Sequence, residues 1–483
     1  MRVRTLGSAL ALGVLALGGV VVVRAAVRTT SEERVAPAAP LELDPFALSR
    51  RLGRALTHRT VSTLDPASFP HERFDALLAE LAESFPRTHE LLAPERVGRH
   101  AVLYRWEADA PAGAPLLLLA HLDVVPVEKG GDWPYAPFGG ELAEGFVWGR
   151  GALDDKASAL AILEAVEHLT AEGFRPRRDV WIALGFDEEV GGERGAAAVA
   201  RLLEERGVRP ALVLDEGLAV LEDIVDGVER PVAAVGVGEK GSATVRLSAE
   251  GPGGHSSLPP PHTAVGRVAR AVTRLEARGL PAALDGPSRA LFEALVPHMP
   301  FGRRLVLANL WLFEPLVLDQ LVAAPSTAAL VRTTTAATLI SGGVKANVLP
   351  ARAESTVNFR VHPHDGVNAV LAHVREVIDD PTVSVELVAG AEPSPVSPTD
   401  GEGFAWLERT IRQVFPDAIV APSLVTGATD ARHYTGCSEA VYRFLPLRLR
   451  PDDLPRIHGA AERLALAAYL DMVRFYAQLI RNA

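Results

Sequence analysis

Three short apolar runs, "PLLLLA", "VWIALGF" and "ALVL", each stop abruptly at ionisable side chains: His121 and Asp123, then Asp187, Glu188 and Glu189, then Asp215 and Glu216. Helical patterns lie between and after them, among them "KASALAILEAVEHLTAEG" and "GAAAVARLLEERG". Apolar runs this short, bounded by turn or charged residues and alternating with helices, predict an α/β fold in which helices cover a sheet. In such sheets ligands bind in the crevice at the carboxyl ends of the strands. That is where each run places its acidic cluster.

The pattern changes near residue 236. "GEKGSATVRLSAEG", "ARAESTVNFRVHP" and "TVSVELVAG" alternate apolar and polar residues, as half-exposed antiparallel strands do. They predict an α+β lid or dimerisation domain over 236–390, inserted between two parts of a catalytic domain, 46–235 and 391–483. The stretch 285–325, with "FEALVPHM" and "LANLWLFEPLVLDQL", is helical and apolar enough to extend the insertion. The alternation then returns, ending in the amphipathic pattern "AAERLALAAYLDMVRFYAQLIRN". A chain of 483 residues, 48% hydrophobic, is long enough for two or three such units.

At the N-terminus "MRVR" precedes an uncharged run of 19 residues, Thr5 to Val23, followed by Arg24 and Arg28. As a helix the run would span about 28 Å at roughly 1.5 Å per residue, near the hydrocarbon thickness of a bilayer. Residues 1–28 are thus expected to form a signal anchor, with the basic start inside and the remaining chain on the extracytoplasmic side. Secretion after cleavage of a signal peptide is the alternative. Residues 29–45, polar and proline-bearing, read as a linker.

Charge and cysteine usage narrow the chemistry. The net charge of −11 carries no basic block suited to a phosphate backbone, so nucleic acid is excluded as a partner. Cys437 is the sole cysteine, so any metal must be held by His, Asp and Glu. Asp123 follows His121 at the spacing that puts strand side chains on one face, where a carboxylate can orient a ligating imidazole. Asp154 and Asp155, in "GRGALDDK", precede a strong helix, and capping explains one of them. Each cluster alone reads as a solvated loop; together they suit divalent ions, with zinc favoured over calcium by the mixed nitrogen and oxygen donors. Two ions sharing a carboxylate imply hydrolysis.

The ordered motifs "HLDVVPV", "GRGALDDK", "DEEVGG", "LDEG", "GPGGHSS", "TDARHY" and "RIHGAAER" resemble the aminoacylase and carboxypeptidase S family of metallopeptidases, from about residue 46 to the end. "TDARHY", "YRFLPL" and "RIHGAAER" carry a likeness to its carboxypeptidase S branch, which includes secreted N-fatty-acyl-amino-acid hydrolases. The resemblance implies a three-layer catalytic domain with a central mixed sheet. It also implies two Zn2+ per subunit, other divalent ions being possible: His121 and Asp215 on one, Glu189 and His458 on the other, Asp154 bridging. Asp123 would orient His121, and Glu188 would be the general base. His255, in a glycine-rich turn, would stabilise the oxyanion, in many relatives across a homodimer. Asn347, Arg360 and Arg432 would bind the substrate's polar groups and carboxylate. Ala157 stands where the family usually has glycine, with a local packing change expected.

The implied activity is cleavage of an amide beside a free carboxylate, in a peptide or an N-acyl amino acid. A dipeptidase or deacetylase of small polar substrates, or a non-catalytic protein that kept the fold, are the alternatives. His262, His362 and His364 are expected to be surface or structural residues.

Overall fold

The computed structural model describes residues 19–28, 35–38, 40–128 and 130–483. Its central mixed sheet has eight strands, in the order Glu95–Val97, Ala101–Trp106, Val180–Gly185, Leu116–His121, Leu212–Leu221, Val441–Leu449, Val232–Glu239, Ile419–Val425. The three apolar runs are neighbours: Leu116–His121 pairs in parallel with Val180–Gly185 on one side and with Leu212–Leu221 on the other. Leu116–His121 and Val180–Gly185 are buried at every position. Burial of both faces is why they read as continuous apolar runs and show no alternation.

Helices Pro45–Leu56, Lys156–Ala171 and Leu466–Asn482 share one core with the sheet, through Leu52, Leu160 and Phe475. Helices His71–Ser84 and Ala196–Glu205 cover the other face through Phe74 and Leu203. Ala157 is fully buried within Lys156–Ala171. The chain leaves this sheet at Lys240: Val232–Glu239 ends there and Gly241–Glu250 begins in a second, antiparallel sheet. That sheet runs Thr334–Gly342, Arg352–Val361, Gly241–Glu250, Val383–Ala391, with helices Ala264–Ala277 and Val367–Ile378 packed on it. Gly241–Glu250 alternates buried and half-buried residues, as its sequence does.

Three local expectations are corrected. The stretch 285–325 does not simply extend the insertion, because Leu295 and Met299 pack with Val232, Ile419 and Ala421 on the edge of the central sheet. The linker 29–45 is docked at its end, where Leu41 is buried in the main core and Ala38 N donates to Gln413 O at 2.9 Å. The C-terminal pattern begins as a strand, Arg463–Ala465, paired with Phe146–Trp148 before the helix starts. Most of the predicted anchor lies outside the described residues, of which 19–27 are helical. Among the described residues no single helix is long and apolar enough to cross a bilayer.

Candidate active site

The strand ends and two loops bring the predicted donors together. His121 closes its strand, and its Nε2 lies 3.0 Å from Asp154 Oδ1 and 3.3 Å from Glu216 Oε1. His458, held in the left-handed region at φ 59°, places Nε2 2.8 Å from Asp154 Oδ2 and 3.2 Å from Glu189 Oε2. Asp154 thus offers one oxygen to each histidine. His121, Asp154 and Glu216 form one group of donors, and Asp154, Glu189 and His458 a second.

Asp123 lies just beyond the strand and still meets His121, with its carbonyl 3.1 Å and its carboxylate 3.3 Å from Nδ1. The same carboxylate accepts from Glu188 N at 3.2 Å, Glu189 N at 3.1 Å and Ser62 Oγ at 2.6 Å. One residue therefore steadies the imidazole and the Glu188–Val190 turn together. Gly192, just after that turn, takes φ 70°, and a Cβ there would stand 2.1 Å from Asp430 Oδ1, so only glycine fits. Asp187 faces away from the donors and accepts from Arg194 N and Gly195 N, both at 2.9 Å, at the start of helix Ala196–Glu205.

Glu462 braces the loop of the second histidine indirectly, through Arg150. Fully buried, it accepts from Leu153 N at 2.7 Å, Gly151 N at 3.0 Å and Asp154 N at 3.3 Å, and from Arg150 Nη1 at 2.5 Å. Arg150 Nη2 in turn donates to His458 O and Gly459 O, both at 2.9 Å. This pair ties the Asp154 loop to the His458 loop.

Asp215 and its neighbour Glu216 are placed differently from the expectation. Asp215 Oδ2 accepts from Ala431 N at 2.7 Å, and Glu216 occupies the place beside His121 expected for Asp215. The reason is a bulge: Asp215 pairs with Arg443 but Leu218 pairs with Phe444, leaving Glu216 and Gly217 without partners and breaking the alternation of faces. Gly217 takes φ 138°, where a Cβ would stand 2.7 Å from Arg443 Cβ. Accordingly Glu216→Ala is expected to lower metal content in elemental analysis. Asp215→Asn is expected to retain metal and lose about 1–3 kcal/mol of stability in denaturant unfolding, as a disturbed buried hydrogen bond does.

The electrostatics fit a cationic ligand. Burial, with Asp154 next, pushes the Glu216 carboxyl up to about 8. Burial raises Glu188 well above the carboxylate range, with the Glu216, Asp430 and Asp123 charges adding to it and His121 opposing. Hydrogen bonds to Asp154 and Glu189 raise His458 to about 10. His121 is also raised, because the Glu216, Asp123 and Asp154 carboxylates outweigh its burial. Without cations, then, the cluster retains protons to offset its negative charge. Glu189 Oε1 is buried with no protein partner, an acceptor without a donor. Asp155 gives the helix no side-chain cap; its carboxylate accepts from His121 N at 3.3 Å. A metal held by two histidine–carboxylate sets suits these residues.

The predicted substrate residues are dispersed. Arg432, on the 3-10 turn Asp430–Tyr434, donates to Gly191 O at 2.7 Å and so borders the Glu188 turn. His255 and Asn347 lie far along the chain on the insertion's short ribbon, where Gly254–His255 pairs with Val348–Leu349 and Ser256 N donates to Asn347 O at 3.2 Å. His255 Nδ1 lies 2.8 Å from Ser257 Oγ, and among the described residues no hydrogen bond or ion pair joins His255 to the donor cluster. Arg360 is exposed on Arg352–Val361, opposite Ser242 and Thr334. His362 is buried and, with His364 and Asp285, forms a separate donor group in the insertion. Asp430 and Glu462 were missed as site-shaping residues; both stand inside quoted motifs, and neither carries a local sequence signal that separates it from a surface acid.

A mixed α/β sheet carrying two histidine–carboxylate sets joined by one aspartate defines a metal-dependent hydrolase. The chain belongs to peptidase family M20/M25/M40, whose profile matches residues 117–482, and it is a metallopeptidase or amidohydrolase of that family. It is 41% identical over 418 residues to an N-fatty-acyl-amino acid synthase/hydrolase of Danio rerio, covering 85% of this chain and 80% of that protein. To carboxypeptidase S of Saccharomyces cerevisiae it is 32% identical over 464 residues, covering 86% of this chain and 80% of that one. An M20 family metallo-carboxypeptidase of Sulfolobus solfataricus shares the fold with a TM-score of 0.63 at 16% identity, over 91% of this chain and 99% of that chain.

Proposed function

We propose that this enzyme hydrolyses the amide of N-acyl amino acids with apolar acyl chains, releasing a fatty acid and a free amino acid. The observation that carries the proposal is the sharing of Asp154 between the His121 and His458 donor sets, with Glu188 on the turn between them. His121, Glu216 and Asp154 would hold one zinc, and Asp154, Glu189 and His458 a second. When bound, such ions acidify water and polarise a carbonyl. Glu188 would accept the proton of the attacking water and return it to the leaving amine. Asp123 holds Glu188 by its backbone N–H, so the base is aimed by the same residue that steadies His121.

Arg432, beside the Glu188 turn, supplies a cation for the substrate carboxylate, and Asn347 and Arg360 add polar contacts from the insertion. His255 serves as oxyanion donor, from a partner subunit or on closure of the insertion, which makes a homodimer part of the proposal. The Danio rerio and Saccharomyces cerevisiae relatives support hydrolysis of acyl amino acids and of peptides, respectively, and the former's name also includes synthesis. With abundant reactants, the same site would condense fatty acid and amino acid. The uncharged run Thr5–Val23 supports attachment to a membrane, with the catalytic domain on the extracytoplasmic side.

Liquid chromatography of the zinc-loaded protein's products on N-oleoyl and N-acetyl amino acids and on dipeptides tests the substrate class. Faster turnover of the N-oleoyl compounds is expected. Preference for dipeptides or N-acetyl amino acids would favour the small-substrate alternative.

A further inference from the structure

The helix Leu310–Ala323 is apolar almost all round its circumference, yet only Leu310 and Val317 are buried. Trp311, Leu312 and Leu316 are 54%, 41% and 54% exposed. A helix of this composition is ordinarily enclosed by protein or by lipid. The preceding helix, Phe301–Leu307, meets it at 106° and leaves Phe301 47% exposed.

The N-terminal helical residues 19–27 reach this same place. Asn309 Nδ2 donates to Val21 O at 3.0 Å, and the Arg24 guanidinium lies 6.0 Å from the Trp311 ring centre. Val22, Val23 and Val27 are 47%, 58% and 70% exposed beside it. Two exposed apolar surfaces, distant in sequence, are therefore neighbours. One of them is the tail of the uncharged run Thr5–Val23.

We propose that the helices Phe301–Leu307 and Leu310–Ala323 form a membrane-surface contact, resting on the bilayer beside the point where the N-terminal run enters it. The proposal builds on the membrane attachment proposed above. A run long enough to cross the hydrocarbon, ending on Trp311, sets that helix at the level of the lipid headgroups. Trp311 suits this level by its amphipathic ring, and Arg24, Arg28 and Arg304 offer positive charge to anionic lipid. Acyl amino acids, having an apolar tail and a carboxylate, concentrate at that same surface. The contact thus brings the catalytic domain to its substrate.

The test reconstitutes the full chain with vesicles of phosphatidylcholine and phosphatidylglycerol, using brominated acyl chains as tryptophan quenchers. Of the six tryptophans, Trp106, Trp148, Trp181 and Trp406 are buried and Trp133 is half-buried, which leaves Trp311 as the exposed one. Flotation with the vesicles and quenching of part of the tryptophan emission are expected. Trp311→Phe should remove most of the quenched part without changing flotation. In Leu312→Glu/Leu316→Glu, quenching should fall while flotation and hydrolysis of a soluble substrate persist. Flotation without Trp311 quenching overturns the surface contact and leaves the anchor standing. Failure to float removes both, and loss of Trp311 exposure through self-association without lipid assigns the face to a second copy and rejects the proposal.

Discussion

Replacing Asp154 by alanine is expected to strip metal from both histidine–carboxylate sets at once and to abolish turnover. One oxygen of this carboxylate lies 3.0 Å from His121 Nε2 and the other 2.8 Å from His458 Nε2, and among the described residues no other donor belongs to both sets. The paired hydrogen bonds from His121 and His458 hold Asp154 below the usual carboxylate range although it is largely buried, so it stays ionised and available to cations. The loss of activity should exceed the about 10²–10⁴-fold that a general base alone contributes, because activation of water is lost as well. Elemental analysis and steady-state kinetics on one preparation check it. Glu189→Ala, by contrast, removes a donor from the His458 set alone, so metal content should fall only in part.

Replacing Glu188 should separate chemistry from metal binding. Its backbone N–H is fixed by Asp123 at 3.2 Å, while its side chain belongs to neither donor group. Glu188→Ala is therefore expected to keep wild-type metal content and fold, and to lose about 10²–10⁴-fold in kcat. KM should change far less, since removing a proton shuttle weakens the transition state more than the bound substrate. Loss of metal in this variant would show instead that Glu188 is a ligand. The adjacent carboxylates of "GFDEEVGG" thus separate by task in the proposed mechanism: Asp187 tethers a helix start, whereas Glu188 would move a proton and Glu189 would hold metal.

Much of this arrangement was legible in the sequence because burial on both faces leaves an unmistakable trace. Leu116–His121 and Val180–Gly185 read as apolar runs, and the polar residue after each run marks the crevice. Asp154 and His458 gave weaker signals. An acidic pair before a helix is usually a cap, and His458 stood out only by resemblance. The exchange of Asp215 for Glu216 was not legible at all. A two-residue bulge opposite Arg443 sets how Asp215 and Glu216 are presented, and neither a resemblance nor strand periodicity reveals where a ladder slips. Glu462 was equally hidden, since its task is to accept backbone N–H groups more than 300 positions away, at Gly151 and Leu153. The stretch 285–325 read as part of the insertion because composition records only that a helix is apolar, whereas Leu295 is committed to the central sheet.

Zinc titration of chelator-treated protein, following hydrolysis of an N-oleoyl amino acid, tests the central claim most directly. The account predicts no turnover in the chelated enzyme and a rise to a plateau near about two equivalents of zinc per chain, as a shared-carboxylate site requires. Full activity without bound metal, or a zinc-saturated wild type as inert as Glu188→Ala on every acyl amino acid and dipeptide, would contradict it.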